Sequence, residues 1–211
     1  MSWTGTGANG TIGHGLGAQP EFIIIKNRSS SLDWLVGHVG ITLGSGRLLL
    51  NSTDPNSNAG ASSYWNNTAG TSSVFSLGSH PVPNKSGDNI IAYCISPVAG
   101  YSAVGSYTGN GSTDGVFVHT GFKVAFLLTK RTDTSENWEI RDIRRNPFNR
   151  TNRTLFPHSS GAEDNGSVDF DFLSNGFKLR NVNGSTNANG GTYIYYAVAA
   201  NPFQANGGLA R

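Results

Sequence analysis

Two aspartates placed two residues apart are the clearest candidates for acid–base chemistry in this sequence. Asp169 and Asp171 alternate with apolar residues in the segment Val168-Asp-Phe-Asp-Phe172. In a β-strand such residues project from the same face, roughly 7 Å apart. Paired carboxylates at comparable separation hydrolyse glycosides. Ser174 stands where an acidic glycosidase strand would carry a further carboxylate, so we expect the two aspartates to lie on a solvated strand face.

Other catalytic and metal-binding patterns are missing from the sequence. The five histidines, at positions 14, 38, 80, 119 and 158, form no His-x-His or His-Glu-x-x-His pair. The pattern Gly5-x-Gly7-x-x-Gly10 is followed by no helical segment, and no Gly-x-Ser-x-Gly elbow occurs. Calcium around Asp54 or Asp164 stays open, because such ligands need no fixed spacing. We expect a protein that is not an enzyme, with no catalytic residues, metal or cofactor.

An aromatic segment is the first candidate for ligand binding. Tyr64, Trp65 and Asn66 are consecutive, and aromatic rings stack on sugars while amides bond hydroxyl groups. Trp34 and Trp138 stand beside apolar residues, and we expect both of them in the core.

A basic cluster at 141–153 is the second candidate. Arg144, Arg145 and Arg150 within it could hold an anionic glycan. The alternative is a solvated loop in which arginines such as Arg153 pair with nearby acids. The net charge of +2 is too small and too scattered for a nucleic-acid surface, and no apolar run is long enough to insert into a membrane.

Composition and patterning predict an all-β protein. Charged residues make up 13% of the 211 residues, and short apolar runs alternate with Gly, Ser, Thr and Asn turns. Cys94, the single cysteine, lies in an apolar run and is expected to be a buried, unreactive thiol. The predicted strands are 22–26, 34–36, 47–51, 64–65, 74–77, 90–95, 116–119, 126–130, 138–142, 154–156, 168–173, 176–180 and 193–199.

The sequence contains an internal repeat. Tyr107-Thr-Gly-Asn-Gly111 repeats Trp3-Thr-Gly-Thr-Gly7, and Phe126-Leu-Leu-Thr-Lys130 repeats Phe22-Ile-Ile-Ile-Lys26. Both blocks recur after about 104 residues, so we predict two β units, 1–104 and 105–211. Short, regularly spaced strands favour a β-sandwich or jelly-roll-like arrangement, either one per unit or one formed jointly. His14 and His119 occupy equivalent places, which indicates a shared structural contact.

Several phrases resemble a domain of unknown function that recurs in virion proteins of tailed bacteriophages. The resemblance covers nearly the whole chain, and its phrases include Gly100-Tyr-Ser-Ala-Val-Gly-Ser-Tyr-Thr-Gly-Asn-Gly111, Thr120-Gly-Phe-Lys-Val-Ala-Phe-Leu-Leu-Thr-Lys-Arg-Thr132, Arg145-Asn-Pro147 and Leu173-Ser-Asn-Gly-Phe-Lys-Leu-Arg-Asn181. It assigns no catalytic residues. It implies a phage particle, and within it a tail fibre, tailspike or other appendage.

The expected function is therefore that of a virion appendage domain that recognises a host-surface glycan. Its expected partners are other virion proteins and further copies of itself, with a trimer implied by the resemblance. Two alternatives remain open: a depolymerase that cuts host polysaccharide, and a purely structural capsid decoration or tail adaptor protein.

Overall fold

The computed structural model describes residues 1–166 and 168–202. The chain divides into two compact units, Met1–Ser96 (unit 1) and Pro97–Arg211 (unit 2). The division lies eight residues before the predicted boundary of 104/105, at a position that leaves the strand Ser102–Thr108 whole. Antiparallel sheets dominate both units and the helices are single turns, so the prediction of an all-β protein is confirmed.

Unit 1 contains seven strands and two short helices. Its strands are β1 (Ser2–Thr4), β2 (Gly10–Gly13), β3 (Phe22–Asn27), β4 (Trp34–His38), β5 (Leu48–Leu49), β6 (Val74–Leu77) and β7 (Asn89–Ile95). The helices are α1 (Ala61–Trp65) and α2 (Pro81–Asn84), and a 3₁₀ turn spans Val39–Ile41. One sheet has the order β1-β7-β3-β4-β5, and β2 pairs with β6 separately.

The core of unit 1 lies on one face of the five-stranded sheet. Alternation along β3 sends Ile23 and Ile25 to this face, where β4 adds Leu35. They pack with residues of β6, α1 and α2, including Phe75, Trp65 and Val82. The opposite face carries Lys26 and Trp34, which are half-buried. The sheet therefore has a filled inner face and a partly open outer face.

The described residues of unit 2, 97–166 and 168–202, form seven strands and one short helix. Its strands are β8 (Ser102–Thr108), β9 (Phe117–His119), β10 (Val124–Arg131), β11 (Trp138–Asp142), β12 (Phe170–Leu173), β13 (Gly176–Leu179) and β14 (Thr192–Ala199), and its helix is α3 (Gly184–Asn187). The sheets have the orders β11-β10-β14-β8 and β12-β13-β9. Core residues alternate along β14 and meet Phe170, Phe172 and Phe177 from the smaller sheet.

A buried asparagine ends the second helix of unit 1 and the helix of unit 2. Asn84 accepts a bond from the Thr6 N–H at 2.9 Å and donates to the carbonyls of Ala8 and Gly78 at 2.6 and 2.9 Å. In unit 2, Asn187 accepts from the Asn110 N–H at 3.0 Å. It donates to the carbonyls of Ser112 and Asn181 at 2.9 and 2.7 Å. Each asparagine thus ties its helix to a glycine-rich loop that is distant in sequence.

Three predicted strands are absent or much shorter in the structure. Residues 64–65 belong to α1, where the i and i+4 positions Ala61 and Trp65 both face the core. Residues 154–156 form only isolated bridges, Thr154 to Asp164 and Leu155 to Ile140. The 47–51 segment contributes just Leu48–Leu49. Strands β1, β2 and β8 have no counterpart among the predicted strands, because their glycine, serine and threonine residues are typical of bends and connectors.

Candidate ligand-binding pocket

A concave site of about 540 Å³ opens on the outer face of the unit 1 sheet. Four strand residues, Lys26, Trp34, Ile91 and Tyr93, form its floor, and the hairpin-loop residues 27–31 form its rim. The strand register explains this grouping, because Lys26 lies directly opposite Trp34 on β4 and Ile91 on β7. Tyr93 is two residues further along β7 on the same face.

Aromatic and cationic groups meet on the pocket floor. The Lys26 Nζ lies 5.5 Å from the centroid of the Trp34 ring, within the range of a cation–π contact. The same ammonium donates a short hydrogen bond to the Leu32 carbonyl. Trp34 is half-buried and the Tyr93 side chain is 52% exposed. The floor therefore offers two accessible rings and one fixed positive charge.

The rim is held in place by one buried asparagine and one aspartate. Asn27 Oδ1 accepts bonds from the N–H groups of Ser29 and Ser30, both at 2.9 Å. Asp88 accepts bonds from Asn27 Nδ2 at 2.9 Å and from Ser30 Oγ at 2.6 Å. These bonds hold the pKa of the Asp88 carboxyl below its usual value. The loop between β3 and β4 is consequently preorganised before any ligand arrives.

The outermost rim residues are free to bond a ligand. The Arg28 side chain is exposed, and within residues 1–166 and 168–202 it has no hydrogen bond or ion pair. Ser31 is also exposed. Aromatic rings, hydroxyl groups and cations around one cavity suit a polyhydroxylated ligand, whose ring faces stack while its hydroxyls bond.

The expectation that Trp34 lies in the core is wrong. Trp34 sits on the outer face, opposite the core side of β4, and lines the pocket. Trp138 is 1% exposed, as expected of a core residue. The alternation of β4 contained a usable signal: Leu35 belongs to the core, so its neighbour Trp34 must face the other way.

The predicted aromatic platform is not a ligand surface at its central residue. Trp65 is 1% exposed and packs in the unit 1 core, so it cannot stack on a sugar. The Tyr64 ring stacks on His80 with centroids 3.8 Å apart, and the Arg47 guanidinium lies 4.4 Å from its centroid. Asn66 is exposed after α1 and accepts a bond from Asn9 at 2.8 Å. The three residues thus do not form one binding face.

The predicted basic cluster is largely neutralised by ion pairs. Arg145 bonds Asp142 at 2.6 Å and Glu163 at 3.0 Å, and Arg153 bonds Glu163 at 3.1 Å. Arg150 pairs with Asp169 at 2.8 Å and stays 64% exposed. These contacts support the alternative of a loop held by its own charges.

Arg144 differs from the other arginines of the cluster. It is exposed, and its guanidinium has no ion pair in the described parts of the chain. The structure therefore does not bring Arg144, Arg145 and Arg150 together as three free charges.

Each of the two candidate catalytic aspartates is engaged with an arginine. Asp171 accepts a bond from Arg180 Nε at 2.6 Å, while Asp169 pairs with Arg150. Both side chains are 14% exposed. Their contacts are those of surface ion pairs that fasten strand β12 to its neighbours.

The remaining candidate groups have structural contacts. His14 is buried, its Nδ1 accepts the Leu16 N–H, and its Nε2 lies 3.1 Å from the Thr71 carbonyl oxygen. His119 is exposed, so the expected shared contact with His14 is wrong. Cys94 is half-buried, and burial raises the pKa of its thiol to about 11. Asp164 accepts the Gly166 N–H at 2.9 Å.

The described residues contain neither a metal-binding cluster nor a helix that could span a membrane. In residues 1–166 and 168–202, no three His, Cys, Asp or Glu side chains are grouped to hold a metal ion. Over the same residues, no helix has the length and apolarity needed to cross a membrane.

The fold and the pocket define a mostly antiparallel β protein with a polar and aromatic surface site. The chain belongs to the family described as a domain of unknown function (DUF7483), which matches residues 1–202. No curated protein and no solved structure matches the chain.

Proposed function

We propose that this protein is a glycan-recognition domain of a bacteriophage particle, carried on a tail fibre, tailspike or other appendage. The observation that carries the proposal is the pocket of unit 1, where Trp34 and Tyr93 rings adjoin two cations and a rim of serines. Stacking on these rings would supply apolar contact with a sugar, and the rim would bond its hydroxyl groups. The phage setting rests on the resemblance of the sequence phrases to those of virion proteins.

The proposal includes the duplication of one β unit. The order β1-β7-β3-β4 in unit 1 corresponds to β8-β14-β10-β11 in unit 2. Asn84 and Asn187 make matching bonds to loops about 104 residues apart. Each unit would then be a small sandwich, in which the large sheet covers the β2–β6 or β12-β13-β9 strands. A duplicated scaffold allows one copy to diverge for binding while the other maintains structure.

The appendage assignment also implies partners. We propose that the protein associates with other virion proteins and with copies of itself, as a trimer, and that it acts without catalysis. Labelling phage particles with an antibody against the protein tests the location: signal at the tail or its fibres supports the proposal, and signal confined to the capsid shell contradicts it.

The binding experiment uses purified protein, a glycan array and intact host cells. Wild-type protein is expected to bind a restricted set of glycans, and Tyr93→Ala and Trp34→Ala are expected to weaken binding at least about tenfold through lost stacking contact. Phe148→Ala is the matched control, since Phe148 is 81% exposed and lies in unit 2. Absence of wild-type binding to every glycan and to host cells would overturn the proposed function.

A further inference from the structure

The charges that line the unit 1 pocket are all positive. Lys26 and Arg28 contribute two cations, while no aspartate or glutamate is part of the lining. The guanidinium of Arg28 is free of protein partners in the described residues, and it is exposed at the rim. A free arginine beside aromatic rings presents a planar fork of donors, which matches a carboxylate in bidentate geometry.

No acidic side chain stands in the pocket lining to oppose these charges. Asp88, which is bonded to the rim, accepts bonds from Asn27 and Ser30, and the Lys85 ammonium lies 3.5 Å from its carboxylate. Asp33 accepts a bond from Asn51 Nδ2 at 2.9 Å. An anionic ligand at the rim therefore meets Arg28 and Lys26 with no carboxylate in the pocket lining.

The position of the Lys26 ammonium determines where in the pocket a negative charge is favoured. Its ammonium is held by the Leu32 carbonyl and by the face of Trp34, so its position is fixed rather than mobile. An ammonium that is already bonded contributes a field at little cost in side-chain entropy. A carboxylate between Lys26 and Arg28 would stand next to the Trp34 ring, on which the adjoining sugar could stack.

We propose that the unit 1 pocket selects carboxylated saccharides, such as uronic or sialic acids, over neutral sugars. This inference rests on the proposed glycan-binding function and specifies its ligand class. Arg28 bonds the carboxylate, Lys26 contributes electrostatic attraction, and Trp34 and Tyr93 contact the sugar ring.

The strand pair of unit 2 that is equivalent to the pocket floor is closed. Unit 2 contains the same cross-strand pair, Lys130 opposite Trp138 on β10 and β11. Lys130 is 0% exposed and Trp138 is 1% exposed, so this pair presents no open floor to a ligand. The proposal therefore places the saccharide in unit 1 and expects one saccharide per chain.

Calorimetric titration with matched acidic and neutral probes tests the inference. The probes are trigalacturonate with its methyl ester, and sialyllactose with lactose. We expect at least one acidic probe to bind about tenfold or more tightly than its neutral counterpart, with one site per chain and weakening at high salt. Arg28→Ala should abolish this preference, whereas Arg144→Ala, which removes an arginine of unit 2 that is also exposed and has no ion pair in the described residues, should leave it intact.

The outcomes separate the two proposals. Equal affinity for acidic and neutral probes, or loss of preference in Arg144→Ala but not in Arg28→Ala, overturns the selection for carboxylates and leaves glycan binding in place. Absence of binding to these probes and to every glycan of the array overturns both. Unfolding curves of both arginine variants should match wild type, because neither side chain bonds the described protein.

Discussion

Replacing Asn84 by alanine tests the idea that one buried amide holds unit 1 together. The side chain is 3% exposed and serves three backbone groups: the Thr6 N–H and the carbonyls of Ala8 and Gly78. Gly78 is buried, so its carbonyl loses a partner that water cannot easily replace. An unsatisfied buried group costs about 1–3 kcal/mol, and a partly accessible one about 0.5–1 kcal/mol. We expect Asn84→Ala to lower the free energy of unfolding of unit 1 by about 2–5 kcal/mol.

Urea unfolding followed by tryptophan fluorescence measures this loss, since Trp3, Trp34 and Trp65 all lie in unit 1. Hydrogen exchange identifies the region that Asn84→Ala destabilises, because the Thr6 amide should lose its protection first. Asn9→Ala is the control: Asn9 is exposed, makes one bond to Asn66, and should cost less than about 0.5 kcal/mol. Equal losses in the two variants would refute the role of Asn84.

Two further predictions concern charge and pH. The Glu139 and Arg141 side chains are 3% and 1% exposed, and Glu139 Oε2 lies 2.6 Å from Arg141 Nη2. Glu139→Gln should destabilise unit 2 by about 3–5 kcal/mol, because it leaves the buried guanidinium charge without a counter-charge. A loss below about 1 kcal/mol in chemical unfolding would disprove this. Burial, and then the charge of Arg47, lower the pKa of His80, although Asp33 opposes them. The neutral His80 side chain therefore contributes its full stabilisation of unit 1 at pH values above its ordinary pKa of 6.5. This contribution is lost as the pH falls through the lower pKa of the folded state. His80→Asn should keep the cap on α2, as Asn183 caps α3. It should flatten the pH dependence of unit 1 unfolding below the ordinary pKa of 6.5, and an unchanged slope there would contradict the assignment.

Local patterns in the sequence predicted much of the β structure. The strands β6 and β11 have the predicted bounds, and β7, β13 and β14 differ from theirs by one residue at an end. Period-two alternation carries this information, since one side of each sheet faces a core. The short helices carry a signal that could have been used: His80 and Pro81 stand at the N-cap and N1 positions of α2.

The binding site was harder to predict, because burial depends on contacts between distant segments. The alternation of β4 places Trp34 on the face away from the core, but it does not show that this face is open in unit 1, whereas Trp138 is buried. Similarly, Tyr64-Trp65-Asn66 resembles a sugar platform in sequence, but a helical turn directs Trp65 into the core. The ion pairs of Arg145 and Arg150 join residues up to about 20 positions apart in sequence. The sequence alone does not show which of several acidic residues pairs with each arginine.

Chemical-shift mapping by NMR tests the central claim most directly. Isotope-labelled protein would be titrated with an oligosaccharide that binds on the glycan array, and backbone amide shifts would be followed. The account predicts that the largest changes fall in residues 26–34 and 91–93, around Lys26, Trp34 and Tyr93, with unit 2 unaffected. Changes concentrated in residues 144–153, or spread without a maximum at the pocket, would contradict it.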